Sequence, residues 1–494
     1  MPVGLRDCKW LLSRTNREYV DYVSGITGFS THLAQVLINR GIKTSARIDS
    51  FLNPDLTKLS DPFDLPGMSG AVARIREAAN RGERVLVHGD YDADGITATA
   101  IMTEALRRHG IDAQFYIPNR VHGYGLGHEG IKSARDCAAS LIVTVDCGIT
   151  SFAATAEAVS LGIDVIVTDH HEPATHNAIS DGPGTILLPS AVAIVNPKLA
   201  ASPSGNEEMP AAELSGAGVA LKLAQALLGN DIENVRDLFD LAALGTAADI
   251  VPVTGDNRII LKEGLSLIQS GERAGIRALK EIASVKAGAL RTSTLHYMLV
   301  PRINAAGRIS DATDVVNLLL TDSSGEAARL AEWVDGLNQQ RQEIGESVYS
   351  AAMEMVQALG YRENGDSAIV VAGHGWHRGV LGIAAARIAE AFYRPAFVLS
   401  IEDGTAKGSA RSIPPFDIHE GLRRCSGILK RFGGHKQAAG LSLSAADIEV
   451  FREQISGIVR ESVQEDDLVP VLRIDAQLNL SDVTMELVRE IAGL

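Results

Sequence analysis

The sequence predicts an α/β fold in two parts, a parallel-sheet domain joined by a long helix to a smaller α/β domain. Three observations carry this. From Val85 onward, short apolar runs alternate with helical patterns, as parallel strands covered by helices do. From Ser323 to Leu359 runs one unbroken helical pattern, on the order of 50 Å at about 1.5 Å per residue. At Ser367 the alternation begins again. The expected domains are a helical lead-in over residues 1–69, a main domain over 70–322, the connecting helix 323–360, a second α/β domain over 361–465 and a remainder over 466–494.

Size and composition agree with that division. A chain of 494 residues is too long for one ordinary core and implies about two to four domains. Its 46% hydrophobic and 22% charged residues are the mixture of a soluble globular protein. No apolar run is long enough to span a bilayer, and Met1 to Trp10 lacks the apolar core of a signal peptide. Cys8, Cys137, Cys147 and Cys425 show no metal-knuckle spacing, so reduced thiols in a cytoplasm are expected. The net charge of -15 argues at first sight against nucleic acid. It does not exclude it, because carboxylates that hold cations are neutralised locally and basic strips elsewhere still guide a phosphate backbone.

The elements follow in order. Phe29 to Gly41 is an amphipathic helix with Ser30 or Thr31 as cap and Gly41 as stop. Asn53 to Gly67 is a proline-punctuated connector, and Met68 to Asn80 a second helix. Val85–Val87 is a buried strand that opens into His88-Gly-Asp-Tyr-Asp-Ala-Asp-Gly95, then a helix over Ile96–Leu106. Further strands are Ala113–Ile117, Leu141–Val145 and Val165–Thr168. A glycine-rich loop with Arg120 and His122 follows the first, Asp146 ends the second, and Asp169-His170-His171 end the third. Residues 196 to 213 form a polar excursion before helical runs over Val219–Leu228 and Leu238–Leu244. Asp249 stands between a helix and a proline-stopped segment, and Pro301 to Ser310 reads as a loop holding Arg302, Asn304 and Arg308. The long helix starts with the capping-box pair Ser323 and Glu326. In the second α/β part, Ser367–Ala372 and Ala396–Ser400 are strands; Ser409 with Arg411, and Phe432 to Gly440, read as loops.

In a parallel sheet the carboxyl ends of the strands share one edge, so Asp92, Asp94, Asp146, His170 and Asp249 converge, with His88 as a further member. Carboxylates that close repel unless a cation holds them. Singly, each is better explained as a cap or turn former; their recurrence at successive strand ends is not. Carboxylates with imidazoles and no cysteine favour two Mn²⁺ ions, with Mg²⁺ or Co²⁺ as alternatives. Such a pair activates water and binds phosphate oxygens. His171, next to His170 in an extended segment, is expected to point the other way and to meet a substrate phosphate or the sheet edge. Asp90 is expected to be structural. Arg302, Asn304, Arg308, Ser409 and Arg411 have phosphate-binding chemistry, and Gly433-Gly434-His435 allows close backbone approach.

His88 to Gly95, Val145-Asp-Cys-Gly148, Asp169-His-His171 and Gly245-Thr-Ala-Ala-Asp249 resemble the four motifs of the DHH phosphoesterases. Arg302 to Arg308, Gly375 to Gly382, Ser409-Ala-Arg411 and Gly433-Gly-His435 narrow the resemblance to the RecJ exonucleases, over roughly residues 15 to 480. The resemblance implies a 5′→3′ exonuclease specific for single-stranded DNA, releasing mononucleotides in repair and recombination. It implies a catalytic cleft between a DHH domain and a DHH-associated (DHHA1) domain. One metal would lie on His88, Asp92 and Asp146; the other on Asp94, Asp146, His170 and Asp249, with His171 on the scissile phosphate. Arg120, Arg302, Asn304, Arg308, Ser409, Arg411, Gly433, Gly434 and His435 would hold the strand. A monomer is expected, with a helicase and single-strand-binding protein as cellular partners. In the family the segment resembling Leu472 to Leu494 opens an oligonucleotide-binding barrel, so residues 466–494 are expected to be the start of a truncated one. The rival readings are a DHH phosphodiesterase acting on short oligonucleotides or cyclic dinucleotides, and a non-catalytic scaffold. The scaffold would be expected to have lost ligands that this chain retains.

Overall fold

The structure, a computed structural model, describes residues 8–120, 123–176, 185–200, 211, 213–286, 288, 290–361 and 367–494. It divides into two compact units: Asp49–Asn338, and Met1–Ile48 together with Gln339–Leu494.

The described chain opens with strand β1 (Lys9–Leu12) and helices α1 (Arg17–Thr27) and α2 (Thr31–Asn39). Ser30 caps α2, its hydroxyl accepting from the Leu33 amide at 3.2 Å. α3 (Ser45–Leu52) leads into the proline connector, where Asp55 and Asp61 each cap a short turn. The expected single helical lead-in, residues 1–69, is thus a strand and helices divided between the two units.

In Asp49–Asn338, α4 (Met68–Arg81) feeds β2 (Arg84–His88), followed by α5 (Ala93–Arg108) and β3 (Asp112–Tyr116). Then come α6 (His128–Asp136), β4 (Leu141–Thr144), α7 (Phe152–Ser160), β5 (Asp164–Thr168) and β6 (Ala193–Val195). The sheet order is β3-β2-β4-β5-β6 and every pairing is parallel. α8 (Gly216–Leu228) and α9 (Phe239–Ala248) pack on α5, whose Ile96, Ile101 and Leu106 are fully buried. Truncating any of these to alanine should cost about 2–5 kcal/mol. α10 (Gly255–Ser270) and α11 (Ala274–Ile282) continue the unit. The segment read as a loop from Pro301 is instead α12 (Val300–Ile309), which continues directly from a π-helical turn over Leu295–Leu299, the widened turn just before the proline. α13 (Thr313–Leu320) precedes α14 (Ser324–Ala358), which carries the chain out of this unit, with Ser323 accepting from the Glu326 amide.

The other unit holds β7 (Ile369–His374), α15 (Arg378–Phe392), β8 (Ala396–Glu402), β9 (Thr405–Arg411) and α16 (Ile418–Arg424). It continues with β10 (Leu429–Gly434), β11 (Ala438–Ser444) and α17 (Ile448–Ser462). Its mixed sheet runs β10-β11-β9-β8-β7, parallel only between β7 and β8. Two expected loops are therefore strands: Ser409 and Arg411 lie on β9, and Phe432 to Gly440 is a hairpin. Glycines that read as breakers instead supply narrow rungs of the ladder. Residues 466–494 contribute β12 (Val471–Ile474) and α18 (Met485–Ala492). β12 pairs in parallel with β1, and the Glu490 carboxylate of α18 accepts from the Ser30 amide at 3.1 Å.

Candidate metal centre

β2, β4 and β5 lie side by side and run the same way, so the residues that follow them meet along one edge. β2 ends on His88. Complete burial lowers its pKa to about 4, which leaves a neutral imidazole. Its Nε2 has no hydrogen-bond partner among the described residues. The glycine at 130 permits this packing, since a Cβ there would stand 2.6 Å from that nitrogen.

The turn after β2 starts α5. Asp92 caps it, Oδ1 accepting from the Asp94 and Gly95 amides at 3.1 Å each. Asp94, in the first turn, is also seated on the amino end of α8: the Gly216 amide donates to Oδ2 at 2.7 Å and the Ala217 amide to Oδ1 at 2.8 Å. That helix end favours negative charge. Burial, then the charges of Asp249 and Asp92, nevertheless raise the Asp94 pKa to about 8.

After β4, Asp146 takes a left-handed backbone (φ 60°), uncommon for a residue with a side chain. Burial first, then Asp94 and Asp92, push its carboxyl well above the usual range. A Cβ at Gly216 would stand 2.4 Å from its Oδ1, so only glycine lets α8 come this close. After β5 come Asp169, His170 and His171. His170 Nε2 lies 3.1 Å from Asp146 Oδ1, 3.6 Å from Asp249 Oδ2 and 3.9 Å from Asp94 Oδ2. Asp249 itself closes the carboxyl end of α9.

His171 does not point away from His170. Their ring centroids are 4.4 Å apart, because the buried Asp169 carboxylate accepts from both backbone amides and bends the chain. Asp169 Oδ1 also lies 2.7 Å from His171 Nδ1. Burial alone would lower the His171 pKa, but that hydrogen bond and charge raise it to about 9. Burial pushes Asp169 upward too, and the contacts with His171 hold it below the usual value.

Three sets of ligand atoms each fall within 4.8 Å of one another: Asp94, His170 and Asp249; Asp146, His170 and His171; and Asp90, Asp92 and Asp146. Asp90, read from the sequence as structural, enters the third set, whereas His88 lies in none of them. Asp90 Oδ1 and Asp146 Oδ1 are buried without a hydrogen-bond partner among the described residues; for Asp146 this holds despite the nearby His170 nitrogen. Buried, partnerless oxygens and a neutral imidazole nitrogen form the hard-oxygen and nitrogen donor set that divalent Mn²⁺, Mg²⁺ or Co²⁺ accepts.

The candidate strand-holding residues fall into three places. Arg120 stacks over the Tyr91 ring, 4.1 Å from its centroid, and its Nε donates to the Gly307 carbonyl at 3.3 Å. His122 lies outside the described residues. Arg302, Asn304 and Arg308 sit on α12. There Arg302 pairs with Asp335 at 2.8 Å, and Asn304 Oδ1 accepts from the Ala93 amide at 2.8 Å, bracing the start of α5. In the other unit Ser409, Gly440 and Gly433 stand opposite one another across three strands, Arg411 faces Ala438 and Gly434 faces Ala439. With exposed His435 at the turn, this makes a strip of small residues with basic ends.

Sequence reasoning named Asp169 without giving it a role of its own, and passed over Tyr124, Gly216 and Ala217. Tyr124 donates its hydroxyl to the Asp146 carbonyl at 2.9 Å and meets His171 Nδ1 at 2.9 Å. Its flanking glycines were the available signal. For α8 it was Ser215, whose hydroxyl accepts from the Gly218 amide and starts the helix three residues before the expected Val219.

Comparison with known proteins matches residues 84–246 to the DHH family N-terminal domain and residues 365–461 to the DHHA1 domain. The single-stranded-DNA-specific exonuclease RecJ of Bacillus subtilis is 39% identical over 485 residues, 98% of this chain; the chain spans only 59% of that relative's length. RecJ of Escherichia coli is 38% identical over 92% of this chain and 79% of its own. Among solved structures, RecJ from Thermus thermophilus in complex with Mn²⁺ superposes with a TM-score of 0.81 at 31% identity, covering 99% of this chain and 68% of that one.

Proposed function

The chain belongs to the RecJ family, and we propose that it is a metal-dependent exonuclease that hydrolyses single-stranded DNA from its 5′ end, releasing mononucleotides. The observation that carries the reading is the set of buried, partnerless ligand atoms converging on one sheet edge.

In this reading His88, Asp92 and Asp146 hold one ion, and Asp94, Asp146, His170 and Asp249 the other. When bound, a divalent pair supplies an activated water and neutralises the phosphate oxygens. The protein's residues do the rest. Gly216 and Ala217 orient the Asp94 carboxylate through their amides. Asp169 holds the His171 ring, so that its other nitrogen is presented to the scissile phosphate as a hydrogen-bond donor. Arg120, Arg302, Asn304 and Arg308, with the Ser409, Arg411, Gly433, Gly434 and His435 strip, are assigned to the strand, with the Arg302 pair to Asp335 and the Asn304 brace as competing structural duties. Backbone contacts to phosphate and sugar position a strand without reading its sequence. A role in repair and recombination, a cytoplasmic setting and helicase or single-strand-binding partners belong to the same reading. Among the described residues no helix is long and apolar enough to cross a membrane.

The test is Mn²⁺-dependent digestion of single strands labelled at either end, with duplex and a dinucleotide as controls. Loss of label first from the 5′ end of single strands is expected. A strong preference for the dinucleotide would replace this reading with a short-substrate phosphodiesterase.

A further inference from the structure

We propose that Tyr124 is a positioning residue of this hydrolytic centre: its hydroxyl ties the backbone of Asp146 to the ring of His171, setting the turns after β4 and β5 as one piece. The inference rests on the proposed function and deepens it.

A phenol has one proton to give. The Asp146 carbonyl, 2.9 Å away, offers only lone pairs, so the proton goes there. The phenol oxygen then lies against the His171 ring, 2.9 Å from Nδ1 and 3.4 Å from Nε2, while Asp169 Oδ1 at 2.7 Å is the acceptor for Nδ1. The carboxylate requires Nδ1 to carry hydrogen, which leaves Nε2 for substrate. Asp169 therefore sets the ring's tautomer, and Tyr124 fixes where the ring lies against Asp146.

The second tie is to the backbone. Asp146 is one of few non-glycine residues here with positive φ, and a conformation of that kind persists when its surroundings over-determine it. The Tyr124 hydroxyl holds the carbonyl of that very residue. Core packing does not account for the tyrosine, whose side chain is exposed enough for the residue to retain 47% of its accessible surface. Its neighbours Gly123 (φ 104°) and Gly125 (φ 85°) give the loop the shape that delivers the hydroxyl inward.

The experiment is steady-state hydrolysis of a 5′-phosphorylated single strand at saturating Mn²⁺ by wild type, Tyr124→Phe, His171→Ala and the double variant. Tyr124→Phe is expected to lower kcat by about 10–100-fold, the range for residues that orient catalytic groups, with KM within about twofold. The double variant should be slower than His171→Ala by less than the single-variant factor, because the ring-setting share of the effect is already gone. A Tyr124→Phe enzyme with wild-type kcat, or fully multiplicative losses in the double variant, would overturn the proposal. An inactive wild type would instead overturn the proposed function and this inference with it.

Discussion

The two sheets gather polar side chains in opposite ways. In the parallel sheet every strand ends on the same edge, so residues from 88 to 249 are concentrated in a small buried volume where charges raise one another's pKa values. In the mixed sheet most neighbours are antiparallel, and Ser409, Gly433 and Gly440 are laid across a surface instead. All three potential ion-holding sets among the described residues fall in the first unit. Parallel topology makes a point at which charge is concentrated; antiparallel topology makes a track. The first suits bond breaking, and the second suits holding a polymer.

Four experiments bear on that contrast. Removing the shared carboxylate with Asp146→Ala should lower Mn²⁺-dependent nucleotide release on the order of 10³-fold or more, about 4 kcal/mol of transition-state stabilisation. Unchanged release would remove the parallel edge from the chemistry. Gly216→Ala forces a methyl against Asp146 and should cost about 10–100-fold in kcat. Gly433→Ala meets nothing within 4 Å and should leave kcat on a short substrate as it is. Equal losses from both would erase the distinction between point and track. Arg411→Ala should raise KM for long strands about tenfold and reduce the salt dependence of binding by roughly one charge, with little change in kcat. A kcat effect of the same size would put Arg411 in the chemistry.

The smallest effect is on stability. Asp94, held near pKa 8 by burial, Asp249 and Asp92, favours its proton in the folded state. Metal-free protein therefore has this stabilisation in full below the carboxylate's usual value of 3.8 and loses it as pH climbs toward 8. Mn²⁺ at about 100 times its Kd should return about 2.7 kcal/mol and flatten that slope, readable as a rise of a few degrees in unfolding temperature. Unfolding curves that ignore both pH and Mn²⁺ would mean that the acids are not metal-linked.

What the sequence made legible was whatever has a short-range signature. Apolar runs marked the strands, and the acids and histidines just beyond them marked the candidate centre. The segments Pro301 to Ser310 and Phe432 to Gly440 were misread for one reason, that glycine and proline were taken as breakers inside what are a helix and a hairpin. Gly307 sits inside α12 because a Cβ would stand 2.0 Å from the Tyr91 carbonyl, and nothing local in Pro301 to Ser310 reveals that neighbour. Gly433 and Gly434 were read as a loop and are strand residues. The tie between Tyr124 and Asp146 joins residues 22 positions apart through a hydroxyl, and Ala217 reaches Asp94 across 123. Contacts of that span leave no periodicity to read.

The pairing of β1 with β12 has a consequence for the order of events at the ribosome. Lys9 lies beside Val471, so β1 waits for its partner until synthesis has passed that residue. At about 5–20 residues per second that wait is on the order of 20–90 s. Meanwhile Asp49–Asn338, contiguous in sequence, has all its own strands in hand and is free to fold. The nascent chain thus spends that interval with β1 lacking its partner strand, a window in which chaperone binding to the Lys9–Leu12 segment should be greatest.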